Sequence, residues 1–318
     1  MVLLSYLGHA YVWGDREPPE RIPAVLAKPW TEVSDRLGRP PILSYASYAL
    51  DNWRRLRPEE PIELGNIALI QNFLGGIDEE WFILIHVDIE VKASPALCGI
   101  VESINAVVNN DSASLEMALR AVDAALAQMY ATLERMPEHC DPYIYYRRVR
   151  PYIHGWKNNP ATPEGMVYEG VFGDQPQLYR GETGAQSSII PSLDALLGVT
   201  HKDDPLKAYL TEMRGYMPPK HRAFIAAVEQ APSVRDYVKS ESIRALVEVY
   251  DSCVDWVERF RSLHLEYAAA YIHKQAQTDD SNPTSIGTGG TPFMRYLRKH
   301  RDETAEHQLE PAVEKLTA

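Results

Sequence analysis

"VERFRSLHLEYAAAYI", residues 257–272, carries its apolar side chains at steps of three and four. Val257, Phe260, His264, Tyr267 and Tyr271 fall on one stripe, the spacing of an α-helix that buries one face. One member of the stripe is out of character: a histidine stands where the pattern asks for Leu or Ile. Intermediate burial is ordinary for histidine, so a core imidazole bonded to a backbone carbonyl explains it. The second explanation is a metal ligand pointed into a cavity. Taken alone, the position fits the first better.

The same rhythm extends along the chain. Within 64–108, Phe82, Ile85, His86 and Ile89 share a face, and 112–136 steps through Leu115, Leu119, Val122, Leu126, Met129 and Leu133. Ser112 or Ser114 is the expected cap of that second helix. Further helices are predicted at 187–198, 204–216, 218–230, 233–239 and 241–273, and no β-alternation lasts beyond four residues. The class is therefore all-α, a large helical domain with long irregular loops. The stretch 154–184 is rich in Pro, Gly and Asn and too long for an idle connection. Residues 277–292 read as a flexible loop, followed by a short helix with Thr291 as its cap and Pro292 in its first turn. One domain is expected over 1–300, with 301–318 a charged, frayed tail. No internal repeat or linker stands out.

Bulk composition narrows the function. A chain of 318 residues with 45% hydrophobic content can build a sizeable core. Its formal charge of −12 disfavours nucleic acid and anionic membranes as partners. Cys98, Cys140 and Cys253 are far apart and odd in number, so neither a disulfide framework nor a zinc site is indicated. The apolar N-terminus has no basic residue before its first acid, unlike a signal peptide, and no run approaches the roughly 20 apolar residues of a membrane span. A soluble, cytoplasmic protein is expected.

Few motifs carry chemistry by themselves. "GTGGT" at 287–291 lacks the Lys-Ser/Thr of a phosphate-binding loop and the strand that should precede it. A mobile lid and an inert linker both remain open for it. No HExxH, GxSxG or Walker pattern occurs. Histidine is the unusual item, because His86 and His264 lie on apolar stripes of separate helices. A haem in a helical bundle needs one axial imidazole, so the pair raises that reading. Spacing leaves it level with ordinary core packing.

Several stretches together resemble the indoleamine 2,3-dioxygenase family of haem dioxygenases. They are "PPILSYASYALDNW" (40–53), "RPYIHGWKNNP" (150–160), "GMVYEGV" (165–171), "TGAQSSIIPSLDALLGV" (183–199), "MRGYMPPKHRAFI" (213–225), "RSLHLEYAAAYI" (261–272) and "GTGGT". Order and rough spacing fit from near the start to about residue 300. The resemblance implies haem b as cofactor, with His264 as the proximal iron ligand. It implies that Arg261 meets a haem propionate or pairs with Asp194, and that Thr183, Gly184 and Ala185 lie over the haem edge. It places Tyr45, Tyr48, Phe82 and Tyr145 around an indole, Arg150 on the substrate carboxylate and Thr288 in the lid. His86 stands where vertebrate members carry serine. A distal histidine is what the related tryptophan 2,3-dioxygenases use, to accept a hydrogen bond from the indole N–H.

The implied reaction opens the C2–C3 bond of L-tryptophan or a related indole with O2, giving N-formylkynurenine or its analogue. An electron donor must keep the iron ferrous. Two departures matter: Tyr145 adds a hydroxyl where Phe is usual, and most of the family's small N-terminal domain is expected to be lacking. His86 and Tyr145 motivate one alternative, a monooxygenase or rearrangement enzyme of secondary metabolism acting on a substituted tryptophan. A non-catalytic haem and gas-binding module is the other.

Overall fold

The chain opens on two helices that periodicity alone did not reveal. In a computed structural model, which describes residues 1–276 and 294–309, α1 spans Val2–Trp13 and α2 spans Ala24–Leu37. The sequence of α1 is apolar on nearly every side, and Leu3, Leu7 and Tyr11 stay exposed, so no polar face marks it as a surface helix. The interior of α2 holds Pro29, normally a helix breaker, and the helix stops at Gly38, whose φ of +65° suits glycine. Between the two lies the short strand β1 (Arg21–Ile22), and after them β2 (Trp53–Arg55) pairs antiparallel with β3 (Ile67–Leu69).

Two long helices form the centre. α3 runs Ile77–Val108 and α4 runs Ser112–Glu134, packed together along their length. Gly99 permits the approach: a Cβ there would lie 2.8 Å from Val122 Cγ2 and 3.0 Å from the Ala118 carbonyl oxygen. The cap of α4 is Asp111, whose Oδ1 accepts from the Ser114 amide at 3.0 Å; Ser112 is already helical. Carboxylate outcompetes hydroxyl here because its charge also meets the helix dipole.

The next segment folds in short pieces. A single turn, α5 (Pro142–Ile144), leads into a wide π-helical turn over Tyr145–Val149 and a tight turn over Arg150–Ile153. The stretch 154–184 is built rather than idle. Its β4 (Met166–Tyr168) pairs parallel to β1 and antiparallel to β5 (Pro176–Gln177), and Glu212 clamps it through Lys157 and Arg180. Then come α6 (Ile189–Leu197), α7 (Pro205–Met213), α8 (Pro219–Gln230) and α9 (Val234–Glu241). The helix expected over 241–273 is α10 (Arg244–Ala268) followed by a π-helical turn at Ala269–His273 and a last turn, α11 (Lys274–Ala276).

The all-α class holds. α10 packs between α4 and the C-terminal helix α12 (Met294–Ala305), and the largest core runs through α3, α4, α6, α9 and α10. A second, aromatic core gathers Trp30, Trp156, Tyr168 and Tyr209, and a third joins Tyr6, Tyr45 and Tyr48 to Ile83 and Val87 of α3. The frayed tail expected from 301 begins inside α12 instead, where His300, Glu303 and Thr304 are buried. Charged residues can anchor a helix when they are paired, and these are. Thr288, Thr291 and Pro292 lie outside the described residues. No helix among the described residues is long and apolar enough to cross a membrane.

Candidate active site

One face of α3 supplies the first wall. Phe82, His86 and Glu90 succeed one another at four-residue steps. Around Phe82 the rings of Tyr145 (centroids 4.6 Å), His86 (4.7 Å) and Tyr48 (6.3 Å) close in, while Tyr45 meets His86 edge-on at 5.9 Å. The segment 41–49, wholly buried, presents Tyr45 and Tyr48, and the π-helical turn presents Tyr145. Tyr48 Oη is buried without a hydrogen-bond partner among the described residues. A buried hydroxyl left so costs about 1–3 kcal/mol, so it stands ready to bond a ligand.

The state of His86 follows from its neighbours. Its Nδ1 lies 2.7 Å from the Phe82 carbonyl oxygen, which can only accept, so Nδ1 carries a proton. Burial lowers the pKa, keeping the ring neutral. Nε2 is therefore a lone-pair acceptor, and it makes no hydrogen bond among the described residues. A Cβ built on Gly184 would have that Nε2, at 4.0 Å, as its one close neighbour, so the turn at Thr183–Gly184–Ala185 lies across from His86.

A glycine pair sets that turn in place. Gly155 and Gly181 approach so closely that a Cβ on Gly155 would fall 2.1 Å from the Gly181 amide nitrogen. Glu182 N–H donates to the Ile153 carbonyl at 3.0 Å, fastening the turn to the segment that carries Arg150. Gln186 continues the stitching: its Oε1 accepts from the Tyr45 amide at 2.8 Å, and its Nε2 donates to the Gly181 carbonyl. Thr183 Oγ1 accepts from Ala185 N–H at 3.3 Å, and Ser187 Oγ donates to Glu90 at 2.6 Å.

Arg150 is fully buried, its guanidinium carbon 5.4 Å from the Tyr146 ring centre. The burial of His154 itself, and then the nearby Arg150 charge, hold that imidazole neutral. Glu182, also buried, has its carboxyl pushed up to about 8, so it is protonated at neutral pH. The sequence offered no sign of Glu182; Glu90 could have been found, being four residues beyond His86 on the same face.

The opposite wall is α10. Burial draws the His264 pKa down to about 4, and the positive charge of Arg261 adds to the effect. Yet its ring keeps an exposed surface, and neither nitrogen makes a hydrogen bond among the described residues. The imidazole is therefore accessible to a ligand. His9 shows the contrast. That core histidine bonds the Tyr152 carbonyl through Nδ1 at 2.7 Å and the Leu43 amide through Nε2 at 3.0 Å. The carbonyl-bonded core reading thus describes His9 and not His264. One turn before it, Arg261 donates to Asp194 Oδ2 at 2.6 Å and to Thr304 Oγ1 at 2.7 Å.

These residues fit a haem. His264 offers one neutral imidazole from a helix, unengaged among the described residues, Arg261 offers a cation beside it, and His86, within electrostatic reach, is a second neutral imidazole. Aromatic rings and a buried guanidinium fill the far side. The geometry thus gathers His86, Tyr45, Tyr48, Phe82, Tyr145 and the Thr183–Ala185 turn, and sets the Arg261–Asp194 pair beside His264.

The family model described as "Indoleamine 2,3-dioxygenase" matches residues 1–307. The chain is similar to indoleamine 2,3-dioxygenase 1 of Rattus norvegicus, 38% identical with 96% of this chain and 78% of that protein covered. Indoleamine 2,3-dioxygenase 2 of Homo sapiens is 36% identical, covering 98% and 79%. A protein named myoglobin from Haliotis madaka is 32% identical, covering 96% and 80%.

Proposed function

The chain belongs to the indoleamine 2,3-dioxygenase family, and from that membership we propose that it is a haem b dioxygenase opening the indole C2–C3 bond of L-tryptophan or a close analogue. The observation that carries the reading is His264: held neutral, still accessible, and with neither ring nitrogen engaged among the described residues. Such an imidazole suits an axial iron ligand. Ferrous haem, kept reduced by an electron donor, supplies the activation of O2.

The chain's residues supply position and dryness. Arg150 meets the substrate carboxylate with its planar fork of donors. His86 Nε2, fixed as an acceptor by the Phe82 carbonyl, takes the indole N–H and so orients the ring. Phe82, Tyr145, Tyr45 and Tyr48 exclude water around it. Asp194 and Arg261 would steady the His264 side of the haem, and the turn at Thr183, Gly184 and Ala185 would border it. His264→Ala is expected to lose stable haem, read as the Soret band of purified protein after haem loading. An unchanged band would refute the ligand assignment.

A second reading rests on the relative named myoglobin, which is as long a match as the dioxygenases. On it, the chain binds haem and O2 without turnover. Ring-opened product from L-tryptophan separates the two.

A further inference from the structure

Behind the Arg261–Asp194 pair lies a buried cluster. His201 and His300 stack, with centroids 3.9 Å apart and planes 8° from parallel. His201 Nδ1 is 2.9 Å from Glu303 Oε2, and its Nε2 is 3.4 Å from Arg261 Nη2. His300 Nε2 lies 3.2 Å from Asp204 Oδ2, and Lys299 bridges Asp204 and Glu303. The ligating atoms of His201, His300 and Glu303 lie within 4.8 Å of one another, close enough to suggest a metal.

Hydrogen-bond valence argues for a different role. A guanidinium only donates, so the His201 Nε2 facing it must be the acceptor. Nδ1 then carries the proton and donates to the Glu303 carboxylate. Both ring nitrogens are engaged without an ion. The parallel rings also aim their in-plane lone pairs side by side, and Lys299 and Arg261 already bring positive charge to the cluster.

We propose that His201 is a positioning residue: it links the carboxylate of Glu303 to Arg261, so that α12 holds Arg261 in one place, a turn before His264. Thr304 of the same helix fixes the other arm of the guanidinium. The C-terminal helix thereby forms part of the scaffold behind His264. The link to haem rests on the function proposed above.

Two measurements test it. The first needs no haem: nitrogen NMR of the imidazoles in the apoprotein. The expected His201 signal is the neutral Nδ1–H tautomer, lost to no other residue's assignment in His201→Asn; an Nε2–H or doubly protonated ring would overturn the link. The second follows haem loss from the loaded protein to an excess of apomyoglobin. Outer partners of metal ligands typically matter by about 10- to 100-fold. His201→Leu and Glu303→Gln are each expected to speed loss roughly tenfold, at the low end of that range, and the double variant no more than the faster single. Unchanged rates, or multiplying effects in the double variant, would overturn the proposal. So would a one-to-one zinc isotherm on the apoprotein that His300→Ala abolishes, since the cluster would then be a metal site. A wild-type chain that takes up no haem refutes the proposed function, whereas a normal haem complex with the wrong tautomer refutes this link alone.

Discussion

His86→Leu is the sharpest perturbation of the proposed substrate contact. Leucine keeps the helix and most of the volume but removes Nε2, which the Phe82 carbonyl fixes as an acceptor by holding the only ring proton on Nδ1. An indole N–H buried against leucine has no partner, a loss of about 1–3 kcal/mol. At about 1.36 kcal/mol per decade, that is roughly 5- to 150-fold in kcat/KM for L-tryptophan. The control is 1-methyl-tryptophan, which has no N–H to donate. Measured side by side, wild type should prefer tryptophan, and the variant should lose that preference while handling the methylated substrate nearly as wild type does. Equal losses on both substrates would refute the acceptor role and leave His86 as a packing residue.

Arg150→Ala should raise KM for L-tryptophan far more than for indole, because only the amino acid has the carboxylate; steady-state kinetics on both substrates check this, and equal changes contradict it. In the haem-free protein, His9 is held near pKa 4 against an ordinary 6.5. The unfolded chain then binds more protons between those values, so His9 contributes about 1.4 kcal/mol of stability per pH unit rising through pH 4–6.5, all of it present above and lost below. Glu182 acts oppositely: raised to about 8, its contribution falls as pH climbs from 4.5 to 8. The two slopes cancel between pH 4.5 and 6.5, so thermal melting should fall from 6.5 towards 8 and again below 4.5; in Glu182→Gln the alkaline loss should vanish and the acid-side fall should begin at 6.5. Gly155→Ala would press its Cβ within 2.1 Å of the Gly181 nitrogen, so the two segments must part; a lower melting temperature by at least about 1–3 kcal/mol equivalent is expected, and a wild-type melting curve would deny the clamp.

Much of this architecture was legible from spacing. The stripe of Leu115 to Leu133 becomes α4, and the stripe of Val257 to Tyr271 becomes the end of α10 and its π-helical turn. What spacing missed has physical reasons. α1 is apolar all round and α2 contains Pro29, so neither shows the usual contrast of faces. The ordered end of α12 depends on His300, Glu303 and Thr304 finding partners from distant segments, which composition cannot display. In the site, the two histidines out of pattern were visible, but their states were not. Only the Phe82 carbonyl fixes the tautomer of His86, and only the fold separates the satisfied His9 from the unengaged His264. Glu182 is a carboxyl in a loop sequence, and nothing in its neighbours announces that it is buried.

The central claim is that the residues between α3 and α10 serve a ring-opening dioxygenation. Mass spectrometry of the products from haem-loaded, reduced protein, given L-tryptophan under labelled O2, tests it most directly. The account predicts a ring-opened product carrying two labelled oxygen atoms. One labelled atom, or an unaltered substrate beside intact bound haem, would contradict it.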